Sequence, residues 1–167
     1  MFIEMKKIII AMLLVLPMVA SAQKFGHINT QELFTQMPEV ATVKLKMDTI
    51  QGQYENQLAS MNEEFQKKMQ DYQAGEATMA DAVKQIRQQE LQEMQQRIQL
   101  FYQTAEQDIQ KKQQELLAPI HEKMAKAIKA VGERENYTYI FDSAAMVHIG
   151  NDAIDATPAV KKELGIK

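Results

Sequence analysis

Apolar side chains recur with an eleven-residue period over most of this chain. From Val43 they fall at Met47, Ile50, Tyr54, Leu58, Met61, Phe65, Met69 and Tyr72, in steps of three and four, so that Val43 to Tyr54 and Met47 to Leu58 each span eleven residues. A period of eleven is about 3.67 residues per turn, which keeps the stripe on one face of a nearly straight helix, whereas heptads would wrap it left-handed. Ala74-Gly75-Glu76-Ala77 interrupts the pattern. Gly75 suits a left-handed cap, and Thr78 with Asp81 has the spacing of a capping box. A second tract then places Val83, Ile86, Met94, Ile98, Phe101, Ala105, Ile109, Leu116, Ile120, Met124, Ile128 and Val131 on one stripe, again with spacings of eleven from Met94 to Ala105 and Ile98 to Ile109. Two tracts of equal period around a turn predict an antiparallel helical hairpin. Folding about residues 74–78 sets Val43 against Ile109, and 32 helical residues make an arm of roughly 48 Å, longer than a globular core requires.

The polar remainder of the arms is dominated by glutamine, with 18 between Gln51 and Gln114. Glutamine is a fair helix former, and interleaved with a regular stripe it reads as a solvated helix face. Pro119 predicts a bend near Leu116, because it removes a backbone hydrogen bond and crowds the preceding turn.

Ahead of the arms, Lys6 and Lys7 precede an apolar run from Ile8 to Leu16, and Ala20-Ser21-Ala22 follows. This is the order of a secretory signal peptide, with residues 1–22 removed by cleavage after Ala22 and Met5 the more natural start. The run is about half the length that a spanning helix needs. Removal of Glu4, Lys6 and Lys7 with the leader changes the net charge from -3 to -4. An acidic chain lacks the clustered basic surface that nucleic-acid binding needs. The absence of cysteine excludes disulfides, thiolate metal sites and a cysteine nucleophile.

Lys24 to Asn29, Tyr137 to Asp142 and Met146 to Ile149 read as short strands of one small sheet. Thr157 followed by Pro158 has the order of a helix cap and first helical residue, opening a terminal helix with Val160 and Leu164 apolar. The expected fold class is α+β, predominantly helical. Residues 23–42 and 110–167 form a β-containing oligomerisation body, from which a hairpin of residues 43–109 projects with its tip near 74–78. Three short strands leave much unpaired edge, which favours oligomerisation through the body. Phe25, Ile28, Ile140, Val147 and Ile149 are its candidate residues.

This order of elements, with KFGHINTQELFTQMPE at Lys24 to Glu39 and YTYIFDSAAMVHIGNDAIDATPAV at Tyr137 to Val160, resembles the Skp/OmpH family of periplasmic chaperones. The resemblance covers essentially the whole mature chain. It implies a homotrimer whose small β body carries three helical tentacles around a cavity, in which unfolded outer-membrane β-barrel proteins are held without ATP or any other cofactor. The best-known members are basic, whereas residues 44–129 of this chain carry 12 basic and 13 acidic side chains. Apolar contact therefore has to carry more of the binding here, and any transient contact with a membrane surface is weakened.

Residues off the stripe are the candidates for holding a client. Leu45 lies roughly opposite Tyr54 on the helical wheel, and Leu100 about 120° from Met94. Met69, Tyr72 and Met79 form a second group at the tip, where flexible methionines suit promiscuous apolar recognition. Catalysis finds no support in the sequence. His27, His121 and His148 lack the short spacing of a zinc site, no phosphate loop or nucleophile elbow is present, and the carboxylates spread along solvated faces. The competing reading is a non-enzymatic coiled-coil adaptor or envelope spacer that recognises one folded partner.

Overall fold

The computed structural model describes residues 23–166. The expected signal segment, residues 1–22, lies outside them. Strand β1 (Phe25–Ile28) leads into helix α1 (Thr30–Gln36), then α2 (Pro38–Gly75) and α3 (Asp81–Arg134). Strand β2 (Tyr139–Asp142), a 3-10 turn (Ser143–Ala145), strand β3 (Ile154–Asp155) and helix α4 (Thr157–Leu164) complete the chain. The fold is α+β and mostly helical, as the sequence predicts.

The sheet has the order β2-β1-β3, and both pairings are parallel. Parallel neighbours cannot be joined by a tight turn and need a crossover, ordinarily one helix. Here α1, α2 and α3 together are the crossover between β1 and β2, drawn out into a hairpin. Its 38-residue outgoing helix is about 57 Å long.

Two breaks in the helical tract have local causes. Asn29 caps α1 by accepting the Glu32 N–H at 2.9 Å. Pro38 then forces Met37 into extended backbone and separates α1 from α2. Met37 is buried at this corner. Helix α3 runs through Pro119 without ending and closes at Asn136, whose φ of 56° is the left-handed stop expected after a helix.

The core lies where the base of the arm meets the sheet. Ile28, Leu33, Met37, Ile120, Ala127, Val131, Ala156, Val160 and Leu164 form one buried cluster, drawn from β1, α1, α3 and α4 with the residues flanking them. Gly26 is placed by a ring. A Cβ there would stand 2.6 Å from Cε1 of Tyr137, and the Lys24 ammonium lies over that ring, 3.8 Å from its centroid.

The structure corrects the sequence reading at four points. The third strand is Ile154–Asp155, and Met146–Ile149 is an exposed loop without strand pairing. β1 has two edges. One is filled by β2; on the other, Ala156 N–H bonds the His27 carbonyl at 2.8 Å and the Thr157 hydroxyl accepts Asn29 N–H at 3.1 Å, which seats residues 154–157 there. Thr157 is accordingly the first residue of α4 and not its cap, and its own N–H is satisfied by Asp155 at 2.9 Å. Gly75 is not left-handed: Glu76 continues in right-handed backbone, and the open α-carbon of Gly75 takes the Met79 methyl. Thr78 caps nothing in α3, because its hydroxyl bonds the Gly75 carbonyl at 3.1 Å and the helix starts after Ala80.

Two stability predictions follow from this packing. Gly26→Val drives a branched side chain into the pinned Tyr137 ring and is expected to cost about 2–3 kcal/mol, read as a lower urea midpoint at unchanged m. Asp142 accepts the Thr30 hydroxyl and the Ala144 N–H, which hold its carboxyl below the ordinary range. A carboxyl so depressed stabilises the fold at neutral pH, and that contribution is lost as the pH falls through the carboxylate range. Asp142→Ala is expected to lose about 1–2 kcal/mol at pH 7 and to flatten the acid limb of the stability profile, whereas an unchanged acid limb would contradict the assignment.

Candidate functional site

The arm consists of a seam and an outside. In α2 the seam is the predicted stripe, with Met47, Ile50, Tyr54, Leu58, Met61, Phe65 and Met69 half-buried and Tyr72 buried. In α3 it comprises Leu91, Met94 and Ala105, all buried, with Ile98, Phe101, Ile109 and Leu116 half-buried between and beyond them. Tyr54 and Phe101 meet across it with ring centroids 5.9 Å apart.

Polar contacts pin the register at three heights. At the base, Lys123 binds Glu39 and holds its carboxyl low. In the middle, the Tyr54 hydroxyl donates to Asp108 at 2.5 Å, which raises the phenol's pKa. Near the tip, the Tyr72 hydroxyl accepts from Gln88 at 2.7 Å and donates to Glu76 at 3.0 Å, with burial the main cause of its raised pKa. These pairs fold the arm about residues 76–80. Val43 therefore shares a cleft with Leu116, Pro119 and Ile120, about two turns along α3 from the Ile109 that equal spacing predicts.

Of the candidate client contacts, Leu45 and Leu100 stand outside the seam, 68% and 63% exposed. Met69 and Met79 are half-buried at the tip. Tyr72 is buried in the seam, where its hydroxyl accepts from Gln88 across the arms. Three further exposed apolar groups, Ile86, Val83 and Tyr102, were not expected outside the seam. Ile86, at 58%, was placed on the stripe, but it lies near the tip where the partner helix runs out, and Val83 is exposed for the same reason. Tyr102, at 51%, is masked in sequence by the neighbouring stripe residue Phe101. Leu91 was missed in the other sense. It lies three residues before Met94, which was the available signal.

The body's candidates divide in the same way. Ile28 is buried and Ile140 packs against the buried cluster, so both serve the protomer's own core. Phe25 is exposed on the outer face of the sheet, where it stacks on Tyr139 at 6.0 Å and lies 6.5 Å from Phe141. Val147 and Ile149 are exposed on the loop after the 3-10 turn.

Among the described residues, the three histidines lie apart from one another. His27 lies 3.9 Å from Asp155, His121 stacks on Phe34 at 5.3 Å, and His148 sits on the exposed loop. Among the described residues, no group of three or more His, Cys, Asp or Glu side chains could hold a metal ion, and no helix is long and apolar enough to cross a membrane. Some charges of α3 pair along the helix, as in Arg87 with Glu90 at 2.8 Å and, nearer the base, Lys126 with Glu122 at 2.8 Å, where the ammonium lowers the Glu122 pKa. The outside of the arm is an amide-rich surface with separate apolar side chains on it, and residues 43–109 carry 7 basic against 11 acidic side chains.

Comparison with known proteins agrees with this architecture. A curated protein named Chaperone protein Skp from Pectobacterium atrosepticum is 28% identical over 146 residues, covering 87% of this chain and 88% of its own length. A protein of the same name from Yersinia enterocolitica is 26% identical over 164 residues, covering 96% and 99%. The fold is shared with the crystal structure of an OmpH-like protein from Caulobacter crescentus, with a TM-score of 0.75 at 18% identity over 85% of this chain and 83% of that one. Residues 24–164 match the family model described as outer membrane protein (OmpH-like), and the chain belongs to that family.

Proposed function

We propose that this chain is an ATP-independent holdase of the periplasm, which keeps unfolded outer-membrane β-barrel proteins from aggregating. One observation carries the reading. An arm of about 57 Å closes its seam with one set of apolar residues and leaves another set, Leu45, Leu100, Tyr102 and Ile86, on the outside. Nothing within the protomer requires those side chains to be apolar. Export by residues 1–22 fits a periplasmic role, and the two curated relatives named as chaperones favour it.

In this reading, residues 23–42 and 110–167 are the oligomerisation body and residues 43–109 the projecting arm. The outer sheet face with Phe25, Tyr139 and Phe141, together with Val147 and Ile149, is where three copies join, because covering these exposed side chains removes apolar surface of the body from water. Three arms then surround a cavity. Each apolar contact inside it is weak, but confinement raises the effective concentration, so a client stays bound and mobile. Release needs only that the folded or membrane-inserted client be more stable than the held one, so no nucleotide site is required.

The test is light scattering from a urea-denatured outer-membrane β-barrel protein diluted into buffer with the mature chain and no ATP. Suppression at near-stoichiometric trimer is expected. Leu45→Glu with Leu100→Glu places two charges outside the seam, so helicity by circular dichroism should hold while client affinity falls about tenfold, the equivalent of 1.4 kcal/mol. Undiminished aggregation with a folded, helical protein would instead favour an adaptor with one folded partner.

A further inference from the structure

Half-way along the arm the seam contains a small residue. Ala105 puts a methyl where its stripe neighbours Phe101 and Ile109 put a ring and a branched chain, and it forms the 7% exposed floor of an open notch of about 450 Å³. Tyr54, Phe101 and Tyr102 supply aromatic groups around that floor. Such a volume accepts one aromatic side chain from outside without disturbing the seam.

The electrostatics of this notch differ from those of its neighbours. Its ten lining residues include the carboxylates of Glu55 and Glu106 and no lysine or arginine. Four other clefts along the arm each contain a cation, namely Lys112, Arg97, Lys68 with Arg87, and Lys46 with Lys123. Glu55 takes only the Gln51 amide at 2.8 Å, and Glu106 stands beside the Tyr102 hydroxyl, whose pKa it raises. Among the described residues, neither carboxylate is in an ion pair.

We infer that this notch is a recognition subsite for an aromatic side chain that has a lysine or arginine close to it in an unfolded chain. The ring replaces water on Ala105 between the aromatic walls, and the neighbouring cation meets Glu55 and Glu106 at the rim. The inference rests on the holdase reading for the source of the unfolded chain. It adds a sequence preference that scattered exposed leucines cannot supply. Outer-membrane β-strands supply the aromatic half of the requirement, since aromatic girdles mark both ends of their membrane-spanning segments.

The mature chain contains no tryptophan, so a tryptophan peptide reports its own binding by fluorescence. The probes are acetyl-Lys-Trp-Lys-amide and acetyl-Glu-Trp-Glu-amide, titrated at low salt with the Ala105 and Ile109 methyl resonances followed by NMR. The basic peptide is expected to shift both methyls and to bind about fivefold more tightly than the acidic one, a difference that closes in Glu55→Gln with Glu106→Gln and shrinks with added salt. Equal affinities, or shifts confined to other methyls, would overturn the subsite. Aggregation suppression without any peptide preference overturns the subsite alone, whereas notch binding of the basic peptide by a protein that leaves a denatured β-barrel aggregating overturns the holdase reading and leaves the subsite standing.

Discussion

Everything in this molecule depends on the seam between α2 and α3. An isolated helix of this length is sustained by burying one face, not by propensity, and the exposed remainder here is largely glutamine. The eleven-residue period lets the two stripes remain in contact along the arm without the left-handed wrap that heptads would impose. Tyr54 with Asp108 and Tyr72 with Gln88 add direction to a contact that apolar packing alone would allow to slide. Once register is set, the positions of Leu45 and Leu100 outside the seam follow from the helical period.

The body solves a different problem. Three parallel strands as short as these cannot close a core of their own, and the lower part of α3 supplies it through Ile120, Ala127 and Val131. One helix thus belongs to both halves of the molecule. Where Lys123 meets Glu39, the seam gives way to the core, in which α3 is clustered with Leu33, Val160 and Leu164. Function at the arm is therefore tied to the integrity of a sheet far from the tip.

Much of this was legible in the sequence, for reasons that can be named. The stripe is a local, repetitive signal, and its α2 half is reproduced residue by residue from Met47 to Tyr72. β1 and β2 carry alternating apolar residues and were placed to within a residue or two. The third strand was not legible, because Met146–Ile149 has the better strand composition while Ile154–Asp155 wins through contacts made across the chain, from His27 and Asn29. Periodicity also cannot show where a partner helix stops, which is why Ile86 and Val83 were assigned to a seam that has already ended. The tip turned differently from the Gly75 and Thr78 expectation because Met79 folds back over Gly75, a contact that depends on side-chain shape. At the candidate site, Leu45 and Leu100 followed from helical geometry, whereas the notch at Ala105 required knowing that Tyr54 and Tyr102 flank the same gap.

The central claim is a division of labour, in which the packed seam holds the arms together and the side chains outside it, with the open notch at Ala105, hold the client. Site-specific photo-crosslinking tests it most directly, with benzoylphenylalanine placed in turn at Leu45, Leu100 and Tyr102 outside the seam and at Met47, Met61 and Met94 within it. A denatured outer-membrane β-barrel protein should be captured from the first three positions, while the last three yield crosslinks between α2 and α3. Equal client capture from both sets would show that the arms open to bind, and would contradict the account.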